Sequence, residues 1–349
     1  MEIIDVINKF NIDDKVLSFS LLGKGHINFT YLVKCENDVK YVLQRINNVT
    51  FKDVDGLMSN LCLVTDFLNK NGFESIRFIK TKDGQNYLKV GEDYFRMYRF
   101  IDDVVCYEEV DDLSLITKAA IAFGRLHKIL DKFDAHQLVE VIPHFHDTYL
   151  RYQNLLNAVK NDKFDRVKNC LREIEEIKEF ENEYPIIMDG IKDGSISYGV
   201  THNDPKINNV LFDKKTGDIR AVIDLDTVMP GSYLFDFGDA LRSLFTRDNE
   251  DSELLYLLQV NKPVYRAYVS GYLLEMSNVL TEREKELLPF SAFLITMECG
   301  IRFLEDYLNG DVYFHTSKPN HNLIRARTQI TLAKRIHDSL DDLREITKK

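Results

Sequence analysis

The stretch that decides the fold is His202-Asn203-Asp204-Pro205-Lys206-Ile207-Asn208-Asn209, followed further along by Val222-Ile223-Asp224-Leu225-Asp226. Two β-rich runs flank the turn residues 214–218 and predict a β-hairpin between these stretches. With the turn centred near its middle residue, Asn209 and Asp224 emerge side by side at the open end of the hairpin. Asp204 lies on the loop that leads into that end. The sequence therefore predicts that two carboxylates and one amide oxygen converge on one point.

These three side chains meet the chemical requirements of phosphoryl transfer. Mg²⁺ prefers oxygen ligands, which Asn209 and Asp224 can offer alongside nucleotide phosphates. A separate carboxylate, Asp204, can orient a substrate hydroxyl and accept its proton. Lys206 could neutralise the transferred phosphoryl group. Asp226 is either a second metal ligand or a residue that holds the first one in place.

The spacing H-x-D-x-x-x-x-N arises often by chance, so its context matters. The hairpin, Asp224 and the upstream glycine turn Gly23-Lys24-Gly25 occur in the order that a kinase needs. Alone, the glycine turn would predict only a hairpin turn. His202 is predicted to be a structural histidine bonded to the backbone. A zinc site at His144 and His146 is disfavoured because no third ligand is placed near them.

The rest of the chain divides into a strand-rich and a helical part. The first hundred residues contain five or six predicted strands and one amphipathic helix over 56–70. From Asp111-Asp112, which can cap a helix, the pattern is helical apart from the hairpin. We predict a lobe boundary near 100–107, with an N-terminal nucleotide-binding lobe (1–103) and a C-terminal lobe (104–349). The fold class is thus α+β with two lobes.

Composition excludes several classes of protein. The chain has 349 residues, 44% of them hydrophobic, which is enough for a large core and rules out disorder. A net charge of −11 argues against nucleic acid as the main partner. Five scattered cysteines indicate reduced thiols. The apolar stretch 291–301 is too short to span a bilayer and the start has no secretory pattern. We therefore expect a cytoplasmic protein without a membrane partner.

The chain resembles a known group of enzymes, the aminoglycoside phosphotransferase and choline kinase group, which has a protein-kinase-like fold. Within that group it is most similar to N-acetylhexosamine 1-kinases. The resemblance extends over nearly the whole length. The residues that carry it are 22–28 (LGKGHIN), 41–47 (YVLQRIN), 202–209, 223–231 (IDLDTVMPG) and 236–242 (DFGDALR).

The resemblance implies a role for each matching residue. Asp204 would be the catalytic base, and Asn209 and Asp224 the Mg²⁺ ligands. Gly23 and Gly25 would let the backbone approach the ATP phosphates. The amino-sugar substrate would be held by His26, Arg302 and Tyr313 together with Asp204. Arg302 falls in a predicted helix and Tyr313 in the loop after Asn309-Gly310.

Two departures from the group's pattern stand out. The strand that usually carries a phosphate-binding lysine reads Val42-Leu43-Gln44-Arg45. The register of a single sequence does not decide between Gln44 and Arg45, and Arg45 is the better candidate on charge. The helix over 56–70 has no central glutamate to pair with it, so only Asp55 or Asp66 could serve. Asp236-Phe237-Gly238 spells a protein-kinase triplet but lies downstream of the metal-binding strand end. Asp236 is therefore predicted to hold the loop that carries Asp204.

The sequence thus predicts a kinase that binds ATP between its lobes, with adenine against residues 99–101. The predicted acceptor is the anomeric hydroxyl of N-acetylglucosamine or N-acetylgalactosamine. One alternative is a kinase of the same group acting on another sugar, choline, homoserine or an aminoglycoside. The other is a nucleotide-binding relative without turnover. We expect a monomer.

Overall fold

The computed structural model describes residues 2–22, 29–108, 110–246 and 250–349. The chain forms two lobes, a small one with an antiparallel sheet and a larger one that is mostly helical, as the sequence predicts. The small lobe contains α1 (Ile3–Ile7), β1 (Val16–Leu21), β2 (Phe29–Cys35), β3 (Lys40–Ile46), α2 (Val54–Lys70), β4 (Phe78–Ile79), β5 (Leu88–Val90) and β6 (Asp93–Arg99).

The sheet of the small lobe has the order β1-β2-β3-β6-β4, with β5 also paired to β6. Side chains alternate between its two faces. One face packs on α1 in a small apolar core that includes Val6, Phe10, Leu43, Phe95 and Met97. The alternate residues Gln44 and Arg96 are cross-strand neighbours on the other face. That face turns toward the large lobe, because Arg96 contacts Asp226 there.

Helix α2 joins the small lobe to the large one. Asp53 caps it by accepting a hydrogen bond from the Gly56 N–H. Midway along the helix, the Asn60 side chain donates to the carbonyls of Val139 (2.8 Å) and Val228 (3.0 Å). The apolar residues of α2 belong to the large core that continues into the other lobe. The helix predicted over 56–70 is confirmed.

The large lobe begins at a short strand and contains most of the helices. Its elements are β7 (Val104–Val105), α3 (Leu113–Leu130), α4 (Thr148–Asn161), α5 (Leu171–Lys178), α6 (Ile186–Asp193), β8 (Gly199–Thr201), β9 (Val210–Asp213), β10 (Ile219–Val222), β11 (Met229–Gly231), α7 (Tyr233–Thr246), α8 (Lys262–Met276), α9 (Glu282–Leu308), α10 (His321–Asp338) and α11 (Leu340–Thr347). The helix predicted to follow Asp111-Asp112 is α3, and Asp112 caps it.

Helix α9 is the central helix of the large lobe. It starts at a capping box, in which Thr281 and Glu284 bond to each other's backbone N–H. Its length and composition would suffice for a membrane span, but most of its apolar part is buried inside the protein. We therefore assign it to the core. The apolar stretch 291–301 is the middle of this helix, which extends beyond it on both sides.

Helices α7 and α9 lie unusually close together. A Cβ atom at Gly238 on α7 would come within 2.4 Å of the Ser291 carbonyl oxygen on α9, so only glycine allows this contact. The contact fixes the position of α7, which carries Asp236, against the first half of α9.

Two predicted elements end differently in the structure. The predicted C-terminal helical pattern is divided between α10 and α11 at Ser339. The strand predicted over 219–226 ends at Val222, because Asp224 adopts a left-handed backbone conformation with φ of +59°. An extended strand cannot continue through such a residue.

Candidate active site

The hairpin brings Asn209 and Asp224 to the same end, as the sequence predicts. In the antiparallel pair of β9 and β10, Val210 lies opposite Val222. The Ile223 N–H donates to the Asn209 carbonyl oxygen at 2.9 Å, so the pairing extends to the residues beside the site. The left-handed conformation of Asp224 then turns the chain sharply. Aspartate tolerates this conformation better than most residues do, and such strained positions concentrate at functional sites.

The segment that carries Asp204, residues 202–209, is called the Asp204 loop here. A buried carboxylate holds its start: Asp236 on α7 accepts hydrogen bonds from the backbone N–H of His202 (2.6 Å) and of Asn203 (2.7 Å). Asp236 also contacts His127 Nε2 at 2.7 Å. Burial opposes the charge, but His127, His202 and the loop N–H together hold the pKa of Asp236 below its usual value. The prediction that Asp236 holds this loop is confirmed.

His202 has the structural role that the sequence predicts. The backbone N–H of Asp204 donates to His202 Nδ1 at 3.2 Å. The ring proton therefore lies on Nε2, which donates to the Ile223 carbonyl oxygen at 2.9 Å. The imidazole thus ties the Asp204 loop to the end of the hairpin. Asn203 and Thr227 add two further bonds between the same segments.

Asp204 and Lys206 form an ion pair at the accessible part of the loop. Lys206 Nζ lies 3.1 Å from Asp204 Oδ1, and both side chains are about one-third exposed. Burial disfavours the charged lysine, but the carboxylates of Asp204, Asp239 and Glu250 outweigh burial and raise the pKa of Lys206. A permanently charged ammonium group therefore stands beside the predicted catalytic base.

The side chain of Asp224 is exposed to the space beneath the sheet of the small lobe. Partial desolvation there, and the nearby carboxylates of Asp226 and Asp204, raise the pKa of Asp224 to about 6. The carboxylates of Asp226 and Asp204 therefore lie close enough to Asp224 to repel it, and His202 and Arg96 relieve this repulsion only in part. Such a cluster is stabilised by a bound cation.

The donor set at this point fits Mg²⁺. The Asn209 side-chain N–H donates to the Asp204 carbonyl oxygen at 2.8 Å, which fixes the amide and leaves its Oδ1 at the opposite end. Asn209 Oδ1 and the Asp224 carboxylate are hard oxygen donors. Among the described residues, no group of three or more His, Cys, Asp and Glu side chains is arranged to hold a metal ion by itself. Nucleotide phosphates and water would have to complete the coordination.

The structure separates Gln44 from Arg45. Arg45 is nearly half exposed and pairs with Asp93 at 2.8 Å. Gln44, on the opposite face of β3, accepts hydrogen bonds from Arg96 Nε (2.9 Å) and Nη2 (2.7 Å). Arg45 thus lies away from the face that carries Gln44 and Arg96. Of the two α2 carboxylates that were candidate partners, Asp55 accepts a hydrogen bond from Tyr87.

Arg96 is not among the site residues that the sequence predicts. Its guanidinium lies 2.6 Å from Asp226, whose neighbour Asp224 is a predicted metal ligand. The available signal was the alternation in β6, where Arg96 stands between the apolar residues Phe95 and Met97 and must face the opposite side of the sheet. Asp226 is thereby engaged by an arginine, which favours its predicted role as a residue that holds the metal-binding segment.

Arg302 and Tyr313 lie beside each other. The Arg302 guanidinium stands over the rings of Phe145 (5.0 Å), Phe314 (5.5 Å) and Tyr313 (6.0 Å). Tyr313 is 61% exposed, so its hydroxyl can reach a bound molecule. The loop that carries it is held by Asp306, which accepts from the N–H groups of residues 312–314 at 2.8–3.0 Å.

The two carboxylates four residues from Arg302 along α9 are bound by other groups. Asp306 holds the loop just described, and Glu298 contacts His146 Nδ1 (2.9 Å) and the Thr148 hydroxyl (2.6 Å). The Arg302 guanidinium stands over the aromatic rings, and Glu305, three residues further along the helix, is its nearby carboxylate. His146 Nε2 is buried and has no hydrogen-bond partner among the described residues.

Three predicted residues, Gly23, Gly25 and His26, lie outside the described residues. The segment predicted to contact adenine, residues 99–101, follows β6, and the Phe100 N–H donates to the Lys40 carbonyl oxygen at 3.0 Å. The structure therefore brings together Asp204, Lys206, Asn209 and Asp224 in one group, and Arg302 and Tyr313 in a second group.

Known proteins share this architecture. A sequence model of the phosphotransferase enzyme family matches residues 18–270. An aminoglycoside phosphotransferase from Alicyclobacillus acidocaldarius is 13% identical, with a TM-score of 0.64 over 100% of this chain and 97% of that one. A microcompartment-associated aminopropanol kinase is 16% identical, with a TM-score of 0.62 over 97% of both chains. The amicoumacin kinase hAmiN, solved with AMP-PNP, Ca²⁺ and Ami, is 14% identical, with a TM-score of 0.61 over 97% of this chain and 92% of that one.

Proposed function

The chain belongs to the phosphotransferase enzyme family and is a small-molecule kinase, and from that premise we propose that it phosphorylates the anomeric hydroxyl of N-acetylhexosamines with ATP. The products would be the sugar 1-phosphate and ADP. The observation that carries the proposal is the geometry of the Asp204 loop, which presents a carboxylate and an ammonium group next to the carboxylate cluster at Asp224.

Asp204 is proposed to accept the proton of the acceptor hydroxyl while that oxygen bonds to the γ-phosphorus and the bond to the β-phosphate oxygen breaks. Its ion pair with Lys206 holds the carboxylate in one orientation. The same ammonium group is placed to neutralise charge on the transferred phosphoryl group. Catalysis of this kind depends on positioning and charge neutralisation, and both need the fixed loop that Asp236 and His202 provide.

Asn209 and Asp224 would hold Mg²⁺ together with the nucleotide phosphates. When bound, the ion supplies charge neutralisation and orientation to the β- and γ-phosphates. The amicoumacin kinase was solved with AMP-PNP and Ca²⁺, which supports a divalent cation and an adenine nucleotide in this fold. Adenine is proposed to lie against residues 99–101, between the lobes.

The acceptor is inferred from Arg302 and Tyr313. A guanidinium group and a phenol hydroxyl are suited to the hydroxyl and acetamide oxygens of an amino sugar. The aromatic rings of Phe145 and Phe314 beside Arg302 give an apolar surface for the sugar ring or its acetyl methyl group. His26, which was also predicted to contact the sugar, remains part of the proposal.

A second acceptor class has one observation in its favour. Glu305 lies beside Arg302 and Arg151, and burial raises the pKa of its carboxyl group despite both arginines. A carboxylate in this position could bind the ammonium group of an amino alcohol or an aminoglycoside. Structural neighbours include kinases of ethanolamine and of aminopropanol. We favour the amino sugar because Arg302 would repel a cation bound beside it.

The test is an assay of ADP release with a panel of acceptors. The panel contains N-acetylglucosamine, N-acetylgalactosamine, glucose, galactose, ethanolamine, choline, homoserine and kanamycin, and ³¹P NMR identifies an anomeric phosphate. We expect turnover with the two N-acetylhexosamines. Turnover only with the ammonium-bearing acceptors would support the second class and contradict the first. No turnover with any member of the panel would favour the nucleotide-binding relative without activity.

The Asp204→Asn variant separates catalysis from binding. The loop is held through the backbone of His202, Asn203 and Asp204, so the substitution preserves its hydrogen bonds. We expect a loss of turnover of about 10²–10⁴-fold with unchanged nucleotide binding. The control is Asp189→Asn on the exposed surface of α6, which should behave like the wild type. Full activity of Asp204→Asn would contradict its role as the base.

A further inference from the structure

Arg96 is a charged residue in an unusual place, the middle of a strand at the interface between the lobes. It is 3% exposed and lies on β6, on the sheet face that turns toward Asp224 and Asp226. Removing a guanidinium group from water is costly, and a buried ion pair is weak evidence for stability because apolar residues often serve as well. The position of Arg96 therefore calls for a reason beyond folding.

Arg96 connects a row of polar side chains that runs from the small lobe to the metal-binding segment. The row begins at Thr30 on β2, whose hydroxyl accepts a hydrogen bond from Gln44 Nε2 at 3.1 Å. Gln44 Oε1 accepts from Arg96 Nε and Nη2, and Arg96 Nη1 lies 2.6 Å from Asp226. Three strands and the end of the hairpin are thus joined in one line.

The row occupies the place where the group's pattern has a lysine and a glutamate. Gln44 stands in the strand segment in which the phosphate-binding lysine is expected. The central polar residue of α2 that faces the large lobe is Asn60, which bonds to backbone carbonyls rather than to a cation. Among the described residues of this region, the buried positive charge is therefore that of Arg96 on β6.

The Arg96 side chain acts on the metal-binding segment through a direct contact. It holds Asp226, and Asp226 is separated from Asp224 by a single residue in a tight turn. A partner that fixes the segment in this way also fixes the orientation of the ligand it carries.

We propose that Arg96, oriented by Gln44, is a positioning residue for the metal–nucleotide complex: by pairing with Asp226 it fixes the segment that carries Asp224 beneath the small lobe. The proposal rests on the proposed function, since it assumes that Asp224 binds the metal of a metal–nucleotide complex. In this chain an arginine–aspartate pair between the lobes takes the place of the lysine–glutamate pair that is expected within the small lobe.

The experiment measures binding of AMP-PNP by calorimetry, in Mg²⁺ and in EDTA, together with thermal stability. Four variants are compared with the wild type: Arg96→Met, Arg96→Lys, the double variant Arg96→Met/Asp226→Leu, and Arg220→Met. Arg220 is the matched control, because it also joins the lobes, through Glu74 at 2.9 Å, but at a partly exposed position. No acceptor is added, so the identity of the acceptor does not affect the result.

We expect Arg96→Met to weaken binding in Mg²⁺ by about tenfold or more, as for other residues that orient a metal ligand, with little change in EDTA. Arg96→Lys should restore part of the Mg²⁺-dependent affinity. The double variant should regain thermal stability because an apolar pair replaces the buried charges, but should bind as weakly in Mg²⁺ as Arg96→Met does. Arg220→Met should bind as the wild type does.

If the double variant bound AMP-PNP in Mg²⁺ as tightly as the wild type, the pair of Arg96 and Asp226 would have only a structural role. That result would overturn the proposal. An equal loss in Arg220→Met would overturn it too, because general loosening of the lobes would then suffice. If Arg96→Met does not fold, Arg96→Lys and the double variant carry the same comparison. A wild-type protein that binds no better in Mg²⁺ than in EDTA would overturn the proposed function itself, and this proposal with it.

Discussion

Asp236 on α7 and His202 in the Asp204 loop are joined by a 2.6 Å hydrogen bond, in which the His202 backbone N–H donates to the Asp236 carboxylate. The two residues are 34 positions apart in the sequence. Asp236 also accepts from the Asn203 N–H and contacts His127, and it is almost fully buried. The geometry of the loop therefore depends on a buried carboxylate that itself lies outside the reacting centre.

We predict that Asp236→Ala destabilises the protein by about 3 kcal/mol, because it leaves two backbone N–H groups and His127 without their buried acceptor. Chemical denaturation in urea measures the change in the free energy of unfolding. The control Asp189→Ala, at an exposed position, should stay within about 0.5 kcal/mol of the wild type. Equal stability of the two variants would contradict the role assigned to Asp236.

The same carboxylate predicts a dependence of stability on pH. The pKa of Asp236 in the folded protein lies below its usual value, so the ionised carboxylate stabilises the fold at pH values above the unfolded pKa of about 3.9. This contribution declines as the pH falls from about 5 through the folded pKa. Between pH 7 and pH 3, the free energy of unfolding should therefore fall less for Asp236→Asn than for the wild type. The measurement is urea denaturation of both proteins at several pH values. An equal fall in the free energy of unfolding of the two proteins between pH 7 and pH 3 would contradict the prediction.

The parts of the site that are close together in the sequence could be predicted from it. Asn209 and Asp224 flank one hairpin, and a short turn determines which residues face each other across it. The start of α3 could be predicted in the same local way, because Asp112 is a typical capping residue. Thr281 and Glu284 form a capping box that marks the start of α9 in the same local way. The apolar stretch 291–301 alone does not predict how far that helix extends.

The contact between Arg96 and Asp226 could not be predicted, because it depends on how the two lobes meet. Alternation in β6 shows that Arg96 faces away from Phe95 and Met97, but it does not show what lies opposite. The choice between Gln44 and Arg45 was open for the same reason. Only the pairing of β3 with β6 reveals which of the two lies on the face of Arg96.

Asp224→Asn should separate stability from ligand binding. The Asp224 carboxylate is destabilised by partial burial and by Asp226 and Asp204, so removing its charge should raise the melting temperature at pH 8 in EDTA. The increase in melting temperature that ADP and Mg²⁺ give the wild type should be lost in the variant, because a metal ligand is gone. A variant that is less stable in EDTA than the wild type would contradict the repulsion inferred among the three carboxylates.

Arg302→Met should impair the acceptor site alone. The guanidinium lies over Phe145, Tyr313 and Phe314, and none of these residues is proposed to bind ATP. A lost hydrogen bond from a charged donor costs about 1.5–3 kcal/mol, so the KM for the acceptor should rise by about 10- to 100-fold while the KM for ATP stays unchanged. Tyr313→Phe should raise the same KM by less, since a neutral hydroxyl is removed. Arg266→Met, on the exposed face of α8, is the control and should leave both values unchanged. An equal rise in the KM for ATP would place Arg302 in the nucleotide site and contradict the assignment.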